Sequence, residues 1–272
     1  MKMLKTLFTL LILVVASPWA KADVAVLIHG YLGSASSWES SGVNAVLVDN
    51  GWKRAGILRA YPYGVELIPV VGDKGENTVY QVELPSLSPM MVQADLLQAM
   101  LRQVTKLHPE ESVTLVAHSA GGIVARIALV RGGLSHAKGL ITIASPHMGT
   151  GRAIEALETT DVPYPFCLVQ NFFTGGKTRV LRESRGALID LVPAQPGSLL
   201  FWLNGQPHPD IAYYSIVRPG PVGMGDELVP VFSQDMNSVQ AIHGKAKVVV
   251  VNSSHILNVQ DGVAVARILN QI

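Results

Sequence analysis

Continuous apolar runs alternate along this chain with stretches in which apolar residues recur every three or four positions. The run Val24-Ala25-Val26-Leu27-Ile28, ending in His29-Gly30, reads as a strand covered on both faces of a parallel sheet. Val113-Thr114-Leu115-Val116-Ala117 reads the same way. Between them Met90, Ala94, Leu97, Leu101 and Val104 predict an amphipathic helix over 88–106, with Ser88 as its N-cap and Pro89 in its first turn. Further strands are expected at 139–143, 211–217 and 247–251. Helices are expected at 121–130, closed by Gly132-Gly133, and at 262–269. This order is that of βαβ units, so the expected class is α/β with a mostly parallel sheet flanked by helices.

Two stretches depart from the pattern. Residues 151–205 carry Pro163, Pro165, Phe166, Phe172, Phe173 and Trp202 between weak helical pieces and are expected to form an insertion over one end of the sheet. Its aromatic residues suit either ordinary packing or the inner face of a lid. The region from Tyr61 to Glu83 is ambiguous, a hairpin flanking the Gly72-Asp73-Lys74-Gly75 turn being one reading. No internal repeat, linker or low-complexity tract stands out.

The N-terminus changes the picture of where the protein acts. Lys2 and Lys5 precede an apolar core at 10–16, which ends in Pro18-Trp19-Ala20-Lys21-Ala22. These are the basic region, apolar region and A-x-A site of a secretory signal, and the core is shorter than the roughly 20 residues of a membrane span. Residues 1–22 are therefore expected to be cleaved after Ala22, giving a secreted or periplasmic protein, with an uncleaved anchor as the alternative. Loss of Lys2, Lys5 and Lys21 leaves 18 basic residues against 20 acidic, a formal charge of −2. That balance gives no support for nucleic-acid or anionic-membrane binding. With 49% of its 272 residues hydrophobic and 15% charged, the chain is neither disordered nor in need of covalent staples, and residues 23–272 suit one domain. The single cysteine, Cys167, can form no intrachain disulfide.

The strongest chemical signal is Ala117-His118-Ser119-Ala120-Gly121-Gly122, set between a buried strand and a helix. A nucleophile elbow needs that context: a sharp turn presents the serine oxygen, and small neighbours let strand and helix crowd together. Ala117 stands where the G-x-S-x-G pattern has its first glycine, a change of one methyl group. A serine hydroxyl is a weak nucleophile, so a base and an orienting acid must follow in the order Ser, Asp or Glu, His. His255, just after an apolar strand and before the last helix, is the favoured base, with His243 the alternative. Asp226, in the glycine-rich loop Gly223-Met224-Gly225-Asp226, is the favoured acid, with Asp235 and Glu227 as competitors. The amides of Ala120 and Tyr31, the latter in His29-Gly30-Tyr31-Leu32-Gly33, are candidates for the two oxyanion donors. His29 is expected to hold its loop and His118 to point away from Ser119. His147 suits a loop-stabilising or pocket-wall role, since no second metal ligand lies at regular spacing. Met90 and Met91 read most simply as helix core.

These residues resemble the true-lipase group of secreted bacterial α/β-hydrolases, and are most similar to the Pseudomonas-type triacylglycerol lipases. The similarity rests on V-L-I-H-G-Y-L-G at 26–33, V-T-L-V-A-H-S-A-G-G at 113–122, S-P-H-M-G-T at 145–150, L-N-G-Q-P at 203–207, I-A-Y-Y-S at 211–215, D-E-L-V-P at 226–230 and S-S-H-I-L-N-V at 253–259. It implies an α/β-hydrolase fold with a lid or cap, Ser119 as nucleophile, Asp226 as acid, His255 as base and the amides of Tyr31 and Ala120 as oxyanion hole. Lipases of this type commonly hold a structural calcium through an aspartate two residues after the histidine. That position is Leu257 here, so no calcium, other metal or cofactor is expected. The function implied is hydrolysis of carboxylic esters, lipid acyl esters foremost. A short-chain esterase, a thioesterase or an acyltransferase is the alternative among enzymes. A non-catalytic homologue that binds a lipid or a protein is the alternative outside them.

Overall fold

The computed structural model describes residues 22–160 and 177–272. The segment expected as a signal falls outside them apart from Ala22, as do the prolines and phenylalanines at 163–173 and Cys167. Eight strands form one sheet in the order β3-β2-β4-β1-β5-β6-β7-β8. They are β1 Val24–Ile28, β2 Trp52–Tyr61, β3 Gly64–Pro69, β4 Asn77–Glu83, β5 Val113–His118, β6 Ala137–Ile143, β7 Ala212–Val217 and β8 Ala246–Val250. Every neighbouring pair is parallel except β2 with β3.

The alternation along β1 divides its residues between two cores. Val24, Val26 and Ile28 face one layer with the helices Met90–Leu107 and Ala120–Gly132. Ala25 and Leu27 face the other, with Val43, Leu47 and Trp38 below and the helix Val259–Leu269 beside them. Helix Ala120–Gly132 is buried on all sides over its first ten residues, which its nearly unbroken run of small and apolar side chains permits.

Two expectations are corrected. The hairpin lies earlier than the Gly72–Gly75 turn: β2 and β3 pair antiparallel from Tyr61 opposite Gly64, and residues 70–76 instead carry the chain from β3 to β4. Ser88 is not the N-cap of its helix. Pro89 holds that position in an extended conformation (ψ 145°), and the first amide, that of Met90, is met by the Asp190 carboxylate at 2.8 Å. In the stretch expected as an insertion, the described residues form helices at Gly151–Thr160, Lys177–Glu183, Arg185–Asp190 and Leu199–Asn204. No helix among the described residues is long and apolar enough to cross a membrane.

Candidate active site

The loops that leave the C-terminal ends of β1, β5, β6, β7 and β8 converge at one edge of the sheet, the edge at which open α/β sheets bind ligands. Ser119 occupies the turn from β5 into the following helix with φ 52° and ψ −129°, in the left-handed half of conformational space that L-residues rarely adopt. Close packing holds it there. A Cβ on Gly121 would lie 2.5 Å from the His29 carbonyl oxygen, so the helix reaches the end of β1 only because this residue has no side chain.

His255 Nε2 lies 2.8 Å from Ser119 Oγ, and its Nδ1 lies 2.9 Å from Asp226 Oδ2. An ionised carboxylate can only accept, so Nδ1 carries the proton and Nε2 offers its lone pair to the serine hydroxyl. Asp226 is fully engaged: Oδ1 accepts the amides of Leu228 at 2.8 Å and Val229 at 2.7 Å, and Oδ2 also accepts from the Gln234 side chain at 3.2 Å. Burial pushes its carboxyl up, but the hydrogen bond and charge of His255, with the two amides, outweigh burial and hold it below the usual range. The competing residues go elsewhere. His243 binds the Asn237 carbonyl, Asp235 caps a short 3-10 helix, and Glu227 accepts the main-chain amide of His255 at 3.0 Å.

The loop after β1 runs against this turn. A Cβ on Gly30 would lie 2.8 Å from Ser119 Cβ and 3.3 Å from the Ala120 nitrogen, so the next residue, Tyr31, sits beside the Ser119–Ala120 step. His29 braces the loop as expected: Leu84 N–H donates to its Nε2 at 3.1 Å and its Nδ1 donates to the Gly30 carbonyl at 3.1 Å. The Tyr31 hydroxyl meets the buried Ser184 hydroxyl at 2.7 Å, tying the loop to the junction of helices Lys177–Glu183 and Arg185–Asp190.

His118 lies against the His255 loop. The residue borders the same cavity as Ser119, and its ring packs 5.2 Å from the His255 ring and donates from Nε2 to the His255 carbonyl at 2.8 Å. Burial, then the charges of His255 and Arg218, push its pKa down to about 3 against the opposing pull of the His255 carbonyl and Asp226. Sequence reasoning also missed Gln234, Arg218 and Ser184, whose roles depend on contacts across distant parts of the chain.

A cavity of about 310 Å³ opens beside Ser119, walled by Pro146, Leu181, Leu188, Leu191, Leu228 and Val229. Trp202 is not part of its lining and stays partly exposed. His147 is buried beneath the β6 loop, close to Arg126 and Thr142. Among the described residues no group of His, Cys, Asp and Glu side chains is placed to hold a metal ion.

Over most of its length the chain is similar in fold to solved structures. A Bacillus licheniformis lipase in its mature form matches with a TM-score of 0.62 at 15% identity, covering 94% of each chain. The chain has the α/β-hydrolase fold. A bromoperoxidase from Bacillus anthracis matches at 0.52 and 16% identity over 92% of this chain and 91% of that one. MenH from S. aureus matches at 0.50 and 15% over 92% of each. The family model of the PGAP1-like alpha/beta domain matches residues 86–160, which span the helix before β5, the Ser119 turn and the β6 loop. No curated protein matches the sequence. A lipase and a bromoperoxidase among the similar structures illustrate that the fold alone does not specify a reaction.

Proposed function

We propose that this protein is a serine hydrolase of carboxylic esters, acting on lipid acyl esters through an acyl-enzyme on Ser119, and that it belongs with the true-lipase group its motifs resemble. The observation that supports this is the continuous path Asp226–His255–Ser119, at 2.9 and 2.8 Å, opening beside an apolar cavity. In the reaction the Ser119 oxygen attacks the ester carbonyl while His255 Nε2 takes its proton. The amides of Tyr31 and Ala120 receive the oxyanion, and Asp226 holds the imidazolium. His255 returns the proton to the leaving alkoxide; it then deprotonates a water that attacks the acyl-enzyme and frees the acid.

The leucine walls of the cavity favour an acyl chain, and the signal-like start of the sequence favours export. The cavity's volume, at the small end of ligand pockets, favours a second reading as an esterase of short to medium chains. Initial rates on p-nitrophenyl esters from acetate to palmitate, with emulsified triglyceride and Ser119→Ala alongside, test both. Turnover of long-chain esters and triglyceride that Ser119→Ala loses supports the lipase, and a short-chain optimum supports the esterase. Equal inertness of both proteins on every ester overturns the enzyme reading.

A further inference from the structure

The loop that carries His255 is held mainly by side chains. Val251 still donates its amide to Val217, and Asn258 opens the last helix. Between those two residues three side chains grip the main chain. Arg218 Nε donates to the Ser254 carbonyl at 3.1 Å, Glu227 accepts the His255 amide at 3.0 Å, and His118 donates to the His255 carbonyl at 2.8 Å. Two of the three occupy related places: His118 immediately precedes Ser119, and Glu227 immediately follows Asp226.

We propose that His118 and Glu227 are positioning residues that clamp the main chain of His255 from its two sides, so that the loops bearing the serine and the carboxylate each also fix the imidazole between them. The proposal rests on the reading of Ser119 and His255 as the reacting pair. Its physical basis is geometric: transfer of a proton between groups 2.8 Å apart fails if the base shifts by a fraction of that distance, and a displacement of about 1 Å can slow an enzyme on the order of 100-fold. A ring bond to Asp226 alone leaves the imidazole free to follow its loop. Bonds to the amide and carbonyl of the same residue remove that freedom. The donor on one side must also be neutral, since a cation beside His255 would oppose the imidazolium that forms on it. The groups facing His118 are His255, Arg218 and Asp226, and its burial among them keeps it uncharged.

Four variants separate positioning from general support of the fold. His118→Phe keeps a ring and removes the donor, whereas His118→Gln restores an N–H in a comparable place. Glu227→Ala removes the acceptor, whereas Glu227→Gln keeps an oxygen and removes the charge. The readouts are the rate at which a p-nitrophenyl phosphonate labels Ser119, followed by mass spectrometry, and kcat and KM on p-nitrophenyl butyrate. His118→Phe and Glu227→Ala are each expected to slow labelling and kcat by about tenfold or more, with KM within about twofold. The glutamine variants are expected to recover most of each loss. Labelling and kcat within twofold of wild type in both His118→Phe and Glu227→Ala overturn the clamp, even if thermal stability falls. So does a loss that neither glutamine variant recovers. If His118→Phe does not fold, the exposed Glu227 pair decides alone. A wild-type protein that the phosphonate never labels at Ser119 overturns the hydrolase reading and the clamp with it, an outcome distinct from equal labelling of all variants.

Discussion

Arg218 and Asp261 meet at 2.5 Å with both side chains fully shielded from solvent. The guanidinium thereby joins the end of β7 to the last helix, while its Nε grips the loop before His255. Removing one partner leaves a buried charge unpaired, a loss of about 3–5 kcal/mol. Asp261→Ala is therefore expected to lower Tm by roughly 6–20 °C, and a double replacement by apolar residues by much less. A shift under about 2 °C for the single variant, read by thermal unfolding, contradicts this account.

On the proposed mechanism, Ser119→Ala should lose at least about 10⁴-fold in kcat on p-nitrophenyl butyrate, and Asp226→Asn about 10³–10⁴-fold. The asparagine keeps the size of the side chain but can present an N–H to His255 Nδ1, which favours the wrong tautomer. Steady-state kinetics check both, and an Asp226→Asn enzyme within tenfold of wild type would remove Asp226 from the triad.

Part of the acid sensitivity should come from a second cluster, around Arg126. Arg126 is fully buried, and its described partners are neutral: His208 at 3.2 Å and Asn204 at 2.8 Å, with His147 at 3.5 Å. Burial, then the Arg126 charge, pushes the His208 pKa down to about 4 and that of His147 well below its ordinary value. The unfolded chain takes up a proton on each histidine near pH 6.5 while the folded protein does not. Their contribution to stability is thus complete above about 6.5 and declines as the pH falls toward 4. Tm should drop between pH 7 and 4.5, and less so in His208→Gln. An equal drop in that variant rejects the assignment to His208.

The carboxylate that Asp190 gives to the Met90 amide should contribute as helix caps do, about 0.5–2 kcal/mol. Asp190→Ala is expected to lower Tm by roughly 1–8 °C, whereas Ser88→Ala, if Ser88 has no capping role, should leave it within about 1 °C. The reverse order in thermal melts would restore Ser88 as the cap.

What the sequence made legible was whatever local pattern determines. β1 and β5 are continuous apolar runs because they lie inside the sheet with both faces covered, and the Ser119 turn is framed by residues small enough to identify it. That Ser119, Asp226 and His255 would meet could be anticipated because the histidine and acid lie on loops bracketed by recognisable strands. β2 escaped because only Trp52, Gly56 and Leu58 are buried along its ten residues, so it carries no continuous apolar signal. The cap by Asp190 lies 100 residues from the amide it meets, and the bond from His118 spans 137 residues to the His255 carbonyl. No spacing rule reaches such contacts; they exist only once the sheet has set the loops side by side.

The strand order has a consequence for how the molecule is made. β1 is formed first, yet its neighbours in the sheet are β4 and β5. Val24 pairs with Thr78 on one side and Val113 on the other. At ordinary rates of synthesis the ribosome needs on the order of 5–15 s to pass from Ile28 to Val113. For that interval the most apolar strand of the protein has an open hydrogen-bonding edge, and its pairing requires closure of a long loop. The cradle of β1 is therefore complete only once β5 is in place, and that strand is the one that delivers Ser119.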